Sequence, residues 1–563
     1  MKRTTLSVLM IALALVALAA PMAFAQAPAP KVTINGLIDN VTSYSQNISN
    51  FNGGIFNRHD SMWYGRTRGR FDFIGEIGKA KGVLGLELDE TYGQAGSSES
   101  NFTNGGGATG RAVAPAVGSG FGTDGGFGLN TDVRGELEIK WLYVEFPVPF
   151  IPVPTIARVG AQPFGSLANY KLATYATGDF SGVSATSQIT PNVKLVGTYV
   201  QVEENLVGTG SKRNLAGPFG VSQTENRGDD YAFIFAPEIT PFRGLDIKPM
   251  FSQFYAAGTT SASARQGRGG LNTSTAFTNP DGSSHGGMNE YRYTVGADAR
   301  LRMGPFSLDP TVLYQFGHRD SFAPATFAPS GAITGRRYNP NIDAWLTDIR
   351  AGYQLGPLLI EGLAMYTTGN TKRNNALGTG TSDGTIHYFQ PLDLDTGYLA
   401  DWGSSLTSLG IDYLNAWNEA QGRIAYPGVA IGWDKYGRMQ LGLKATYAIT
   451  PALSVMGGAN LHWAAEKVDR DGSVATAGTG ITPAFAGPTP RGNHGGWGFG
   501  SDRFVGTELQ AQISWRFADG LVWDNQFGYM FMGPALDGVT DPAAGGRNTK
   551  DPFMLTSRVR FTF

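Results

Sequence analysis

The feature of this sequence that most constrains its fold is a strict alternation of apolar and polar side chains over long segments. In residues 291–303, every second position is apolar and the positions between them are mostly polar. The apolar positions are Tyr291, Tyr293, Val295, Ala297, Ala299, Leu301 and Met303, and the polar positions are Arg292, Thr294, Asp298, Arg300 and Arg302. A period of two gives a β-strand one dry face and one wet face. Segments 438–447 and 508–517 repeat the pattern.

These alternating segments are longer than the strands of soluble sheets, which usually have about five or six residues. Their length therefore favours a membrane barrel over a soluble sheet. Short turns rich in Pro, Gly or Asn, such as 304–305 and 356–357, alternate with long Gly- and Ser-rich segments such as 93–133. This arrangement predicts an all-β fold, a transmembrane antiparallel up-and-down β-barrel of about 18 strands with short periplasmic turns and long extracellular loops. Apolar side chains would face lipid and polar ones the lumen.

The amino-acid composition excludes several other classes of protein. Only 16% of the 563 residues are charged, below the roughly 25% of soluble domains. A mean hydropathy of −0.15 leaves no apolar excess for a helical membrane protein. A net charge of −2 gives no reason to expect a nucleic-acid partner. The absence of cysteine excludes disulfides, thiolate metal sites and cysteine nucleophiles.

The N-terminal residues predict an exported protein. Lys2 and Arg3 precede the apolar stretch 6–20, and Ala23-Phe24-Ala25 has the small-x-small pattern that signal peptidase recognises. We expect residues 1–25 to be a cleaved signal peptide and 26–563 to form one barrel domain. After the signal peptide, no segment offers the roughly 18 unbroken apolar residues of a spanning helix. These observations place the protein in the outer membrane of a Gram-negative cell, in contact with its lipid and lipopolysaccharide.

The last segment alternates like the others and stops on Phe563. It resembles the C-terminal signal by which the barrel-assembly machinery recognises outer-membrane proteins, and the resemblance implies that machinery as a partner. An unpaired aromatic edge would invite aggregation. We therefore expect the last strand to close against the first.

Several short motifs resemble known families. Residues 32–39 resemble the opening strand of Gram-negative porins, and 158–162 looks like the end of their fifth strand. Residues 506–517 and 527–533 are similar to the closing strands of the alginate-export family of eighteen-stranded barrels. The resemblance implies a channel. It leaves the homotrimer and the monomer both open, because general porins are trimers whereas many eighteen-stranded relatives act as monomers.

The phase of the alternation identifies candidate channel-lining residues. They are Arg66, Arg68, Arg70, Glu87, Asp89, Glu136, Glu138, Arg158, Arg292, Arg300, Arg516, Arg558 and Arg560. Strands sixteen, eighteen and two would form a basic arc, and strands three and four an acidic one. Such a grouping resembles the transverse field of porins and suggests anion preference. The alternative is a solvated lumen in which mixed charges brace the wall.

The longest loop, 370–434, is a second candidate for selectivity. Aromatic residues are interleaved with carboxylates there, and the substrate candidates are Asp393, Asp395, Trp402 and Trp417. Aromatic faces beside carboxylates suit sugar stacking or a plug, whereas packing outside the mouth is the alternative. The segment 393–397 weakly resembles a calcium loop but lacks the remaining ligand positions. We predict no metal and no cofactor.

The sequence does not predict an enzyme. The six histidines are scattered, with no HExxH motif, phosphate loop or catalytic triad spacing, so we name no catalytic residue. We predict a porin-like channel for diffusion of small hydrophilic solutes, polar or anionic. The alternative is a substrate-specific transporter or exporter of an acidic oligo- or polysaccharide. A third possibility is a structural sheath or an adhesin.

Overall fold

The structure is a computed structural model. It describes residues 29–47, 61–92, 136–163, 179–203, 230–256, 277–278, 284–285, 290–319, 321–323, 336–338, 341–369, 385–389, 437–467, 502–536 and 551–563. The expected signal peptide and the four substrate candidates of the longest loop lie outside these residues.

Within the described residues, eighteen antiparallel strands form one closed barrel, in which each strand pairs with its neighbours in sequence. The strands are β1 (Lys31–Gln46), β2 (Ser61–Ile77), β3 (Ala80–Tyr92), β4 (Glu136–Pro147), β5 (Thr155–Pro163), β6 (Asp179–Thr190), β7 (Val193–Glu203), β8 (in two pieces, Asp230–Phe235 and Glu238–Phe242), β9 (Leu245–Ala256), β10 (Glu290–Met303), β11 (Phe306–Arg319), β12 (Asn341–Leu355), β13 (Leu358–Thr367), β14 (Arg438–Thr450), β15 (Leu453–Ala464), β16 (Phe504–Ala518), β17 (Leu521–Met532) and β18 (Phe553–Thr562). The predicted fold class is confirmed.

Shorter elements accompany the barrel. They are the strand pairs Phe277–Thr278 with Ser284–His285 and Ser321–Ala323 with Arg336–Tyr338, the strand Thr385–Ile386 beside β12, and the 3-10 turn Pro534–Leu536. The described residues include no helix of the length and apolar character that crossing a membrane requires.

The barrel closes where β18 pairs with β1, as the sequence predicts. The Gly36 amide donates to the Phe563 carbonyl at 2.9 Å, and the Phe563 amide donates to the Gly36 carbonyl at 3.0 Å. A Cβ on Gly36 would lie 2.2 Å from the Phe563 ring. Glycine at this position leaves the space in which the last aromatic ring packs over the backbone of the first strand.

Connections of two kinds alternate around the barrel. At one end the strands are joined by short turns, as between β10 and β11 and between β12 and β13, where Gly304 and Gly356 have φ of 56° and 55°. Glycine suits such turns because it adopts the left-handed region without steric cost. At the other end the strands are joined by the long segments. We call these the short-turn end and the long-loop end.

The faces of the strands are inverted relative to a soluble protein. On β12, Trp345 and Ile349 point outward and are 44% and 39% exposed, whereas the carboxylate of Asp348 points inward and is fully buried. The same holds on β10, where Asp298 and Thr294 point inward and are fully buried. Large apolar side chains thus cover the outside of the barrel, which defines a lipid-facing surface.

Aromatic rings mark the two edges of this apolar surface. Tyr314 and Trp345 have ring centroids 4.4 Å apart near the long-loop end. Near the short-turn end, Trp515 packs against Phe517 with centroids 5.6 Å apart. Aromatic side chains with one apolar and one polar part favour the lipid–water interface, so the rings outline two interfacial girdles.

Candidate functional site

The inward side chains of β17, β18 and β1–β5 carry a cluster of charges that we call the charged wall. It comprises Asp524, Arg558, Arg560, Asp39, Arg68, Arg70, Lys81, Glu87, Lys140, Glu145 and Arg158. These residues lie side by side because the antiparallel register brings the inward positions of neighbouring strands opposite one another, where oppositely charged side chains stabilise the sheet.

At the seam of the barrel, two arginines of β18 bind carboxylates on both sides. Arg558 donates from Nε and Nη2 to the two carboxylate oxygens of Asp39 at 2.6 and 2.7 Å. Arg560 donates to Asp524 at 2.7 Å. The first bond is bidentate and crosses from the last strand to the first. It therefore holds the closing seam as well as placing charge in the lumen.

One carboxylate of β3 is surrounded by three cations. Glu87 lies 3.2 Å from Nη2 of Arg68 and 3.3 Å from Nζ of Lys140, and it also accepts a hydrogen bond from Arg70. Arg68 and Arg70 occupy successive inward positions of β2. With three cations around one carboxylate, the group of four carries an excess of positive charge.

A β-bulge delivers Lys140 to this group. Gly85 pairs with Trp141 while Leu86 pairs with Ile139, so Lys140 is the extra residue of β4. An extra residue shifts the phase of the strand beyond it.

Because of the bulge, Tyr143 and Glu145 of β4 point inward. If the alternation of the first residues of β4 continued unchanged, Leu142 and Val144 would point inward instead. Glu145 accepts from Lys81 at 2.7 Å and from Arg158, whose guanidinium lies 5.3 Å from the centroid of the Tyr143 ring. The sequence analysis missed Lys81, Tyr143 and Glu145. The apolar character of Leu142 and Val144 is the signal that could have shown the change of phase.

The ion pairs of the charged wall share one orientation. In each of them the carboxylate is the more buried partner. The exposed fraction of its side chain ranges from 2% for Asp39 to 13% for Glu145. The cations reach further into the lumen, from 18% exposed for Arg68 to 38% for Arg560. Water in the lumen therefore contacts cations, although the wall also contains carboxylates that pair with them.

The opposite wall contains ion pairs of both orientations. Arg350 of β12 is 27% exposed beside Asp348, which is fully buried, so this pair has the orientation of the charged wall. Lys444 of β14 and Glu361 of β13 lie 3.3 Å apart with similar exposure. On β9, Lys248 is almost fully buried against Glu238, which is the more exposed partner. Among the described residues, the charged wall thus carries the largest group of ion pairs in which the cation is the more exposed partner.

Three other predicted lining residues, Arg292, Arg300 and Arg516, lie outside the charged wall. Arg292 is buried, with its guanidinium 4.6 Å from the Phe254 ring and 3.5 Å from Glu290. Arg300 pairs in register with Asp246, and Arg516 is exposed near the short-turn end of β16.

Four further candidates are located only by their backbone. Arg66 pairs with Val41, Asp89 with Arg68, Glu138 with Glu87, and Glu136 with Asp89. Glu87 of the predicted acidic arc thus touches Arg68 and Arg70 of the predicted basic arc, so the two arcs are adjacent along the wall.

A fully buried polar cluster lies inside β14–β16 near the long-loop end. Arg438 donates to Gln440 at 2.6 Å, and Gln440 donates to Asn460 at 3.1 Å. Beside them Nε2 of His462 lies 3.1 Å from the Glu508 carboxylate. His462 is therefore part of a hydrogen-bonded network, where the sequence shows only an isolated histidine. Among the described residues, no group of three His, Asp or Glu side chains is placed to hold a metal ion.

Part of the longest loop packs on the barrel. Thr385 and Ile386 pair in parallel with Asn341 and Ile342 at the long-loop end of β12. Ile386 and Tyr388 are buried in a cluster with Ile342, an inward residue. This part of the loop therefore lies against the wall of the barrel at its mouth.

Taken together, the inverted faces, the closed sheet and the charged wall define the protein as a transmembrane β-barrel with a polar lumen. No protein-family model matches the sequence, and no curated protein matches it. Solved structures of bacterial outer-membrane proteins are similar in outline.

Three of these structures illustrate the extent of the likeness. The Pseudomonas aeruginosa protein OccK8 (OprE) is 11% identical, with a TM-score of 0.45 over 95% of this chain and 98% of that one. A BenF-like porin from Pseudomonas fluorescens Pf-5 is 10% identical, with a TM-score of 0.45 over 95% and 99%. The outer membrane protein OprD from Pseudomonas aeruginosa is 8% identical, with a TM-score of 0.43 over 96% and 95%. At these values the likeness assigns neither a family nor a solute to this chain.

Proposed function

We propose that the protein is an outer-membrane channel through which small hydrophilic solutes diffuse. The observation that carries this proposal is the closed barrel whose outside is apolar and whose inside is lined by charged side chains. Lipid surrounds such a barrel, and its polar interior is suited to water and dissolved solutes. The signal peptide predicted at 1–25 accords with export to that membrane.

We further propose that the channel prefers anions. The support comes from the orientation of the ion pairs on the charged wall, where the cations are exposed to the lumen and the carboxylates lie behind them. A solute that moves along this wall meets guanidinium and ammonium groups first. Rings or rows of such groups favour anions over cations in pores.

Planar bilayers under a potassium chloride gradient test both statements. The purified protein should open discrete channels, and their reversal potential should have the sign of the chloride equilibrium potential. Protein that inserts without conducting current would refute the channel. A channel whose reversal potential has the sign of the potassium equilibrium potential would refute the anion preference alone.

The second candidate is a dedicated transporter of an acidic oligo- or polysaccharide. What favours it is the extent of the charged wall, whose cations lie on β18 and on each of β2–β5 and include Arg560, Arg70 and Arg158. A row of this length can contact several carboxylates of one chain at once. A uronic-acid oligosaccharide should then block the current at a concentration where a neutral oligosaccharide of equal length does not. Equal block by both would leave the simple diffusion channel.

A further inference from the structure

Three neighbouring strands bring two arginines to the lumen with one apolar residue between them. Arg516 of β16 pairs in register with Val522 of β17, and Val522 pairs with Arg560 of β18. Residues that pair across antiparallel strands project from the same face of the sheet. Arg560 points into the lumen, where it bonds Asp524, so all three side chains are lumenal. We call Arg516, Val522 and Arg560 the bipartite patch.

The bipartite patch lies at the short-turn end of the lumen. Arg516 comes two residues before the last residue of β16, and Val522 is the second residue of β17. On the outward face beside it, the rings of Trp515 and Trp523 have centroids 6.3 Å apart and belong to the aromatic girdle of this end. A solute meets the bipartite patch where the lumen opens between the short turns.

The arginines near the seam are neutralised to different degrees. Arg558 donates to both oxygens of Asp39 and is 20% exposed. Arg560 makes a single bond to Asp524 and is 38% exposed. Arg516 is exposed, and within the described part of the chain no carboxylate forms an ion pair with it. The two arginines of the bipartite patch therefore keep donors that the described residues do not use.

The carboxylates nearest the bipartite patch are already engaged. Both oxygens of Asp39 accept from Arg558. Of the oxygens of Asp524, Oδ1 accepts from the Ser514 hydroxyl and Oδ2 from Arg560. Asp524 is 3% exposed, so it holds Arg560 in place without facing the lumen. The three arginines near the seam outnumber these two carboxylates by one, which leaves an excess of positive charge at this opening.

The spacing of the two arginines matches a ligand with two anionic groups. Neighbouring strands lie about 4.8 Å apart, so the Cα atoms of Arg516 and Arg560, two strands apart, are separated by about 10 Å. A guanidinium fork fits a carboxylate, which it can bind through two parallel hydrogen bonds. Between the two forks, Val522 offers methyl groups and no hydrogen-bond donor. A molecule with a carboxylate at each end and an apolar chain between them meets a matching group along its whole length.

We propose that the bipartite patch binds a short α,ω-dicarboxylate, with one carboxylate on each guanidinium and the methylene chain over Val522. The inference rests on the proposed channel function, because a solute reaches the bipartite patch through a water-filled lumen. It adds a discrete binding step at the short-turn end to the general preference for anions. A monocarboxylate of the same length engages only one of the two arginines and is held less tightly.

Isothermal titration of the purified barrel with adipate, in a non-ionic detergent at low salt, tests the binding without measuring current. Hexanoate is the matched ligand, because it has the same number of carbon atoms and one carboxylate. Wild type should bind adipate about tenfold more tightly than hexanoate, the effect of a second charged pair at an exposed site. Equal affinity for the two ligands, or no binding of adipate, would overturn the proposal.

Arg516→Gln removes one of the two guanidiniums and none of the ion pairs that the described residues form, so the variant should fold. It should bring the affinity for adipate down to that for hexanoate. Arg503→Gln, at the long-loop rim, is the matched control and should bind adipate like the wild type. Tight adipate binding by Arg516→Gln, or an equal loss in the control, would contradict a ligand held between the two arginines.

Block of the chloride current separates the bipartite patch from the channel itself. Adipate should reduce the current of single wild-type channels at a concentration where hexanoate does not, and Arg516→Gln should need about tenfold more adipate. Channels that conduct chloride and respond equally to both ligands would refute the dicarboxylate site and leave the channel. Protein that binds adipate selectively and carries no current would refute the channel and leave the binding site.

Discussion

Arg70 offers the sharpest test of the charged wall. Its guanidinium contacts Glu87 and is 35% exposed, whereas the Glu87 carboxylate is 5% exposed behind it. Replacing Arg70 with Gln removes the positive charge that the lumen sees and keeps a polar side chain of similar reach. Glu87 stays paired with Arg68 and Lys140, so the wall keeps its ion pairs. The variant should therefore fold and should lose part of its anion preference.

The size of the loss follows from Coulomb's law. An anion about 6 Å from a unit positive charge in water is stabilised by about 0.7 kcal/mol. At 0.1 M salt, a screening length of about 10 Å reduces this to about 0.4 kcal/mol. A cation is disfavoured equally, so removing the charge shifts the anion-to-cation permeability ratio by about 0.8 kcal/mol, or about fourfold. At 1 M salt the screening length is about 3 Å and the change falls to about 1.4-fold.

The assay is the reversal potential of single channels under a potassium chloride gradient, measured at low and at high salt. Arg503→Gln is the matched control, since Arg503 also pairs with a carboxylate, Glu466 at 3.0 Å, but lies at the long-loop rim. It should leave the ratio unchanged. Glu87→Gln should raise the anion preference. The reasoning is refuted if Arg70→Gln leaves the permeability ratio at low salt equal to that of the wild type, or if the control changes it as much.

Three further predictions concern folding and the mouth of the barrel. Asp39→Asn and Arg558→Gln, made singly and together, should show a coupling free energy of about 1.5–3 kcal/mol in urea unfolding followed by tryptophan fluorescence, because the bidentate bond spans the seam; additive effects would contradict it. Gly160→Ala should reduce the yield of folded barrel in heat-modifiable electrophoresis, because at φ 124° its Cβ would lie 2.2 Å from a carbonyl of the neighbouring strand. Gly197→Ala has open space and should fold normally. Deleting 380–420 should raise single-channel conductance, since part of this segment packs at the mouth; an unchanged conductance would place it outside the pore.

Most of the barrel could be predicted from the sequence because lipid imposes a simple rule. Most positions that face lipid are apolar, so the phase of the alternation indicates which residues face the lumen, and Arg68, Arg70 and Glu87 lie at inward positions of their strands. Phase is a local property, and it fails at a local irregularity. The extra residue Lys140 reverses the phase of β4, and Glu145 therefore escaped the sequence analysis.

Pairing between distant strands could not be predicted in the same way. The bond of Arg558 to Asp39 joins residues at opposite ends of the chain, and it depends on the register of the closing strands. The contact between His462 and Glu508 likewise depends on which residues of β15 and β16 face each other. An alternating sequence is compatible with several registers, each displaced by two residues, and only closure of the whole barrel selects one.

The orientation of the ion pairs explains how a wall with both signs of charge can present a basic surface. Aspartate and glutamate have short side chains, so their carboxylates stay close to the backbone from which they project. Arginine and lysine have long stems that pack along the wall and carry the charged group further out. In most of the described pairs between neighbouring strands the acid is buried behind the base, as in the pairs of Asp39 with Arg558 and Glu87 with Arg70, whereas Lys248 with Glu238 is an exception. The sign of the field in the lumen therefore depends on side-chain length as well as on the number of charges, and a chain with a net charge of −2 can line its lumen with cations.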